Sequence, residues 1–157
     1  MAVLAPIFLD TTVFIAGILE MGEPSVSSSL ILDGVKAGRI PKAVTAWHCC
    51  LEFYAVATRL PGGLRLTPAL AGQLVREEIL GRVEVTQLPA AARGAFVSAA
   101  VGATVSGGRI YDAHIAECAR LAGARIVVTD NRRHFVGLMR YGIRVLMAAE
   151  FVDEFGL

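Results

Sequence analysis

Short apolar runs alternate with longer stretches in which apolar residues recur every three or four positions. Pro6-Ile7-Phe8-Leu9 predicts a buried strand. Asp10, Thr11 and Thr12 supply cap-type residues ahead of a helix over 13–20. A second helix is predicted over 24–36 and closes at Gly38, and 40–44 reads as a strand. Thr45 is placed to cap a helix running to about residue 60, which Pro61-Gly62-Gly63 ends. Thr67-Pro68 opens a helix to residue 80, because proline suits the first helical position. Residues 83–86 alternate as a strand, 89–105 are helical, and Gly107-Gly108 breaks that helix. A helix over 110–122 closes at Gly123, and 126–129 is strand-like. A polar stretch over 130–134 leads to a short helix, a last strand over 143–147 and a terminal helix over 148–155.

Strands separated by helices imply an α/β fold with a mostly parallel sheet covered on both faces, and residues 1–157 read as a single domain. In such sheets the ligand crevice lies beyond the carboxyl ends of the strands. Asp10 follows the first strand and Thr129-Asp130-Asn131 follow the fourth, so the crevice is expected there.

Composition narrows the class. Hydrophobic residues make up 55% of the 157 and charged residues 18%, which excludes a disordered chain. The formal net charge of +1 does not announce a nucleic-acid binder, although a local basic patch could exist. Cys49, Cys50 and Cys118 form no CxxC or zinc spacing, which suggests reduced thiols and a cytoplasmic location. Residues 1–9 read as a first strand and not a signal peptide, and 88–105 as a buried helix and not a membrane span.

Four carboxylates sit where a core would not want them. Asp10 follows an apolar run, and its plain reading is a helix N-cap. Glu52 lies at or beside the stripe formed by Cys49, Phe53, Val56 and Leu60; an arginine partner would explain it. Asp112 shares a helix face with Ile115, Ala116, Ala119 and Gly123 and could also be a cap. Asp130 could simply form a turn. If the four converge, their repulsion is relieved by raised pKa values or by bound cations. Oxygen ligands with no supporting Cys or His cluster favour Mg²⁺ or Mn²⁺, and with them metal-assisted phosphodiester hydrolysis.

The segments around these acids resemble the PIN-domain family. Phe8-Leu9-Asp10-Thr11-Thr12-Val13-Phe14-Ile15 resembles its opening motif, and Leu51-Glu52 with Tyr54-Ala55-Val56-Ala57-Thr58-Arg59 its second acidic helix. Tyr111-Asp112-Ala113-His114-Ile115-Ala116 resembles the third motif, and Val128-Thr129-Asp130-Asn131-Arg132-Arg133-His134-Phe135 the fourth. The motifs occur in family order over nearly the whole chain, and within the family the chain looks most like the VapC ribonuclease toxins of VapBC toxin–antitoxin operons. The resemblance implies a three-layer α/β/α sandwich with an acidic pocket. Asp10, Glu52, Asp112 and an acid of the fourth motif would hold Mg²⁺ or Mn²⁺ for attack of water on an RNA phosphodiester. Thr11 or Thr12 would orient a ligand or the water, and Thr129 would support them. In many relatives the fourth acid, or an Asn, stands two residues after the threonine, which here is Asn131. Asp130 stands one residue after it and is carried as the fourth ligand, with Asn131 as its substitute. The resemblance further implies a homodimer and inhibition by a VapB-like antitoxin.

Other residues change the picture less. Arg132 and Arg133 could hold an RNA backbone by charge, or form a solvated loop with His134. Lys36, Arg39 and Lys42 offer a weaker version of the same idea. His48, His114 and His134 are scattered and argue against a histidine metal site, and Glu117 faces away from Asp112 by helical geometry. Trp47 and Tyr54, seven apart, could stack a base or pack into a core or dimer. Leu30, Ile31, Val35, Leu60 and Leu64 could form a partner groove or ordinary core. No Walker A loop, GxGxxG or GxSxG occurs. A phospho-acceptor domain wants a late lysine, and no lysine follows Lys42. A non-catalytic RNA- or protein-binding module and a stand-alone RNA-processing nuclease are the alternatives to a toxin.

Overall fold

Five short strands carry the architecture of the computed structural model, which describes residues 5–157. The part of the N-terminal reading that falls on residues 1–4 lies outside the described residues. The strands are β1 (Ile7–Leu9), β2 (Ala43–Ala46), β3 (Glu84–Thr86), β4 (Ile126–Val128) and β5 (Arg144–Leu146). All pair in parallel, in the order β3-β2-β1-β4-β5. The helices are α1 (Thr11–Ile18), α2 (Ser25–Lys36), α3 (Trp47–Arg59), α4 (Pro68–Leu74), α5 (Arg93–Gly102), α6 (Arg109–Leu121) and α7 (Ala148–Phe155).

The period-two geometry of a strand sorts the core into two layers. Leu9, Ala43, Ile126 and Val128 point to one face, where Val13 and Phe14 of α1, Ile31 of α2, Phe53 of α3 and Phe151 of α7 cover them. Phe8, Val44, Ala46 and Val127 point to the other, under Ile115, Cys118 and Ala119 of α6 and the loop residues Phe135 and Leu138. The expected α/β/α sandwich is therefore present, with an all-parallel sheet.

Several local expectations need correction. The second strand lies at Ala43–Ala46 and not 40–44, because Pro41 has no amide hydrogen to give and the ladder starts where Ile7 N donates to Lys42 O at 2.9 Å. Thr45 lies inside β2, where its hydroxyl donates to Leu9 O at 2.7 Å; Ala46 occupies the N-cap position of α3 instead. Thr67 does cap α4, accepting from Leu70 N, but the helix passes into a π-helical turn over Val75–Leu80. The apolar stretch 88–105 is not a buried helix. Of the α5 residues only Ala100 is buried, and Val97 and Val101 are 58% and 72% exposed. Its apolar residues run round the helix, and packing against α6 covers only part of them. Trp47 and Tyr54 are exposed, so neither is core. Of the proposed groove residues, Ile31 is core and Leu64 is open. Among the described residues no helix is long and apolar enough to cross a membrane.

Candidate active site

The chain leaves β1 toward β2 and β3 on one side, then returns to place β4 and β5 on the other. Such a reversal opens a crevice at the carboxyl ends of the strands on either side of it, here β1 and β4. Asp10 follows β1 directly and Thr129 follows β4. Thr129 Oγ1 donates to Asp10 Oδ2 at 2.8 Å, and Thr12 Oγ1 donates to the same oxygen at 3.2 Å. Asp10 holds the N-cap position of α1, but its side chain makes no capping bond; the two hydroxyls occupy it instead.

Asp10 is 4% exposed. Burial pushes its carboxyl up to about 6, hydrogen bonds from Thr129, Thr12 and the Thr11 backbone work against that, and the Glu52 charge adds to it. Glu52 has no arginine partner among the described residues; Thr11 Oγ1 donates to its Oε2 at 2.6 Å. Adjacent threonines of one helical turn thus serve two acids from different elements.

The fourth motif splits in two directions. Asp130 N donates to Thr12 Oγ1 at 3.1 Å, while the Asp130 carboxylate turns toward α7 and accepts from Ala148 N at 3.3 Å. Its Oδ2 is buried without a partner, and burial raises its pKa above the ordinary carboxylate value despite the Ala148 bond. Asn131 N donates to Thr129 Oγ1 at 2.9 Å, and its side chain meets His134 Nδ1 at 2.7 Å. The same Nδ1 lies 2.9 Å from Asp112 Oδ2, in the first turn of α6. One ring nitrogen cannot donate to a carboxylate and accept from an amide at once. The hydrogen-bond geometry is met by the Asn131 amide nitrogen, and Asp112 Oδ2 lies beside the same ring nitrogen as a close ion-pair contact. Asn131, and not Asp130, is therefore the fourth-motif side chain connected to Asp112.

The four sequence-predicted acids belong to one network, joined by Thr11, Thr12, Thr129, Asn131 and His134. The role of His134 was missed in the sequence, where it read as part of a basic cluster; only the fold brings it to Asp112. Arg132 is ion-paired with Glu150, whereas Arg133 is exposed and in no ion pair among the described residues. Glu117 is turned to Arg120 at 2.6 Å.

As donors these residues suit a hard divalent cation: all are oxygens, and one, Asp130 Oδ2, is buried and orphaned. Among the described residues, however, no three His, Cys, Asp or Glu side chains are grouped to hold a metal ion. Glu52 is engaged by Thr11 and Asp112 by His134, and the acids stand linked but not closed into a cage among the described residues.

Comparison with known proteins bears on family and fold. No curated protein matches. The solved structure of FitAB bound to an IR36 DNA fragment is similar with a TM-score of 0.58 and 18% identity, over 90% of this chain and 94% of that one. The crystal structure of FitAcB from Neisseria gonorrhoeae is similar with a TM-score of 0.59 and 17% identity, over 91% and 98%. At that identity the likeness is one of fold. A family model described as PIN domain matches residues 7–136, which include all four acids. The chain belongs to the PIN domain family, whose members are generally nucleases that typically use divalent metal ions.

Proposed function

We propose that this protein is a Mg²⁺- or Mn²⁺-dependent endoribonuclease and the toxin of a type II toxin–antitoxin pair of the VapC kind. The observation that carries the reading is Asp10, a buried carboxylate raised to about 6 at the β1/β4 switch point of a PIN domain and held by two threonine hydroxyls. Asp10, Glu52 and Asp112, with Asp130 or Asn131, would hold the metal. When bound, it supplies Lewis-acid activation of water and neutralises charge at the phosphodiester.

The chain's own residues prepare that chemistry. Thr12 and Thr129 fix the Asp10 carboxylate, Thr11 aims Glu52, and His134 holds Asp112. Arg133 is the member of the arginine pair open to a phosphate, while Arg132 must first leave Glu150.

Two features support protein partners. α5 leaves Val97 and Val101 open, and a groove of about 450 Å³ between α5 and α6 is lined by Ala99, Ala103 and Tyr141 among others. Such surface suits a homodimer and a VapB-like antitoxin. The FitAB likeness adds support for a DNA-contacting partner, since this chain is itself nearly neutral. Cys49, Cys50 and Cys118 are free and buried, in keeping with the cytoplasm.

The ungrouped acids favour one second reading, a non-catalytic RNA-binding module. One experiment separates the two. Purified protein is incubated with single-stranded RNA and Mg²⁺ or Mn²⁺. Internal cleavage is expected, with loss in EDTA and in folded Asp10→Asn and Asp112→Asn; full activity in either variant contradicts the assignment. Growth arrest on expression, relieved by a small upstream-encoded partner, tests the toxin role.

A further inference from the structure

Four aromatic rings from three helices form a continuous ladder beside the acids. Phe96 of α5 meets His114 of α6 edge-on at 5.9 Å, and His114 meets His48 of α3 edge-on at 5.7 Å. His48 stacks on Tyr111 at 5.2 Å with the rings 13° from parallel. Tyr111 immediately precedes Asp112, and His48 lies one helical turn before Glu52 on the same face. The ladder is thus built on the same helices, α3 and α6, that carry Glu52 and Asp112.

A cavity of about 320 Å³ opens against it, with Trp47, His48, Phe96 and His114 in its wall. Thr86, the last residue of β3, and Gln87 also line it. In a parallel sheet the carboxyl end of β3 lies at the same end of the sheet as Asp10 and Thr129, so the cavity opens at the end of the sheet that carries the acids, although no acid lines it. We propose that this cavity binds an unpaired base of single-stranded RNA beside the scissile phosphate. The RNA part of this inference rests on the nuclease reading; binding of a base does not.

The wall chemistry matches an unpaired base. Such a base offers a π-face and a hydrogen-bonding edge, and proteins take the first on aromatic rings and the second on amides and guanidinium groups. Gln87 can donate and accept, and Arg93, also in the wall, donates. Core packing does not account for the cluster, since Trp47 is 39% and Tyr111 57% exposed. The volume is at the small end for ligand pockets, which fits one base and not a folded partner.

Trp47 is the chain's single tryptophan, so its fluorescence reports the cavity directly. The protein is titrated in EDTA, where no cleavage competes, with 2′-O-methyl pentamers of adenylate or uridylate and with ribose 5-phosphate as the baseless control. Saturable quenching by a pentamer and none by ribose 5-phosphate is expected. Gln87 is exposed and Phe96 half-buried, and circular dichroism on Phe96→Ala and Gln87→Ala checks that both variants fold. Phe96→Ala, which removes a ring of the cavity wall, should weaken binding about 5- to 150-fold, the value of one stacking contact. Gln87→Ala should alter the adenylate-to-uridylate preference. Absence of quenching, equal quenching by ribose 5-phosphate, or unchanged titrations in both variants overturns the proposal. Quenching that persists in Asp10→Asn supports the base site even if no cleavage is ever found, so the two readings fail separately.

Discussion

The Thr129 hydroxyl donates to Asp10 Oδ2 at 2.8 Å across 119 positions of sequence, and Thr129 Oγ1 itself accepts from Asn131 N. One side chain thus sets both the Asp10 carboxylate and the start of the fourth motif. Thr129→Val keeps the shape and removes both bonds. It should cost about 1–3 kcal/mol, the penalty for unpaired buried polar groups. It should also remove the largest influence opposing burial, so the Asp10 carboxyl rises further above about 6. The acidic limb of kcat/KM against pH should then move to higher pH, and Thr129→Ser should move it back. A limb that stays in place would separate Asp10 ionisation from the rate.

Asp10 also makes stability depend on pH. Its ordinary value of 3.8 is raised to about 6 in the fold. Between these values the folded chain holds a proton that the unfolded chain has lost. The raised carboxyl therefore supports the fold fully below about pH 3.8, and that support declines as pH rises through about 6. The shift corresponds to roughly 3 kcal/mol. Asp10→Asn has no proton to lose, so in EDTA its stability relative to the parent should increase by about that much from pH 3.5 to pH 7. Denaturant melts at the two pH values measure it; a constant difference would mean that Asp10 is solvated.

How much of this was legible in the sequence follows from which signals are local. Phe8 and Leu9, on opposite faces of β1, and the Val127–Val128 pair announced a sheet buried on both sides. Asp10, Glu52, Asp112 and the fourth motif stood out because acids beside apolar runs need an explanation. Thr45 was misplaced because a threonine before a helix resembles a cap, and only the neighbouring strand supplies Leu9 O as its true partner. The split between Asp130 and Asn131 was not legible, because it depends on α7 and His134 meeting the loop from elsewhere in the chain. The openness of α5 was hidden too: alanine and valine look like core in a list, and burial depends on what packs against them.

Metal should show itself in stability before activity. Acids linked but not closed into a cage leave room for an ion to draw Glu52 and Asp112 from Thr11 and His134. An ion that binds only the folded chain stabilises it by about 2.7 kcal/mol at a hundred times its Kd. Mn²⁺ or Mg²⁺ should therefore raise the Tm of the parent, EDTA should reverse the rise, and Asp10→Asn should reduce it sharply. An unchanged Tm at millimolar Mn²⁺ would favour the non-catalytic module.

The fourth position can be resolved by treating its two candidates separately. Asn131 shares His134 with Asp112, so its side chain stands on the acid side of the loop. Asp130 turns its carboxylate to the first turn of α7, where a negative charge is favourable. Asn131→Ala should lower cleavage by about 10-fold or more, the usual loss when a residue orienting a metal ligand is removed. Asp130→Asn keeps an acceptor for Ala148 N and should lower cleavage far less than Asn131→Ala does. Single-turnover rates and the Mn²⁺-induced rise in Tm, taken on both variants, decide the matter. If Asp130→Asn abolishes both while Asn131→Ala spares them, the carboxylate must swing from α7 into the crevice, and Asp130 is the fourth ligand.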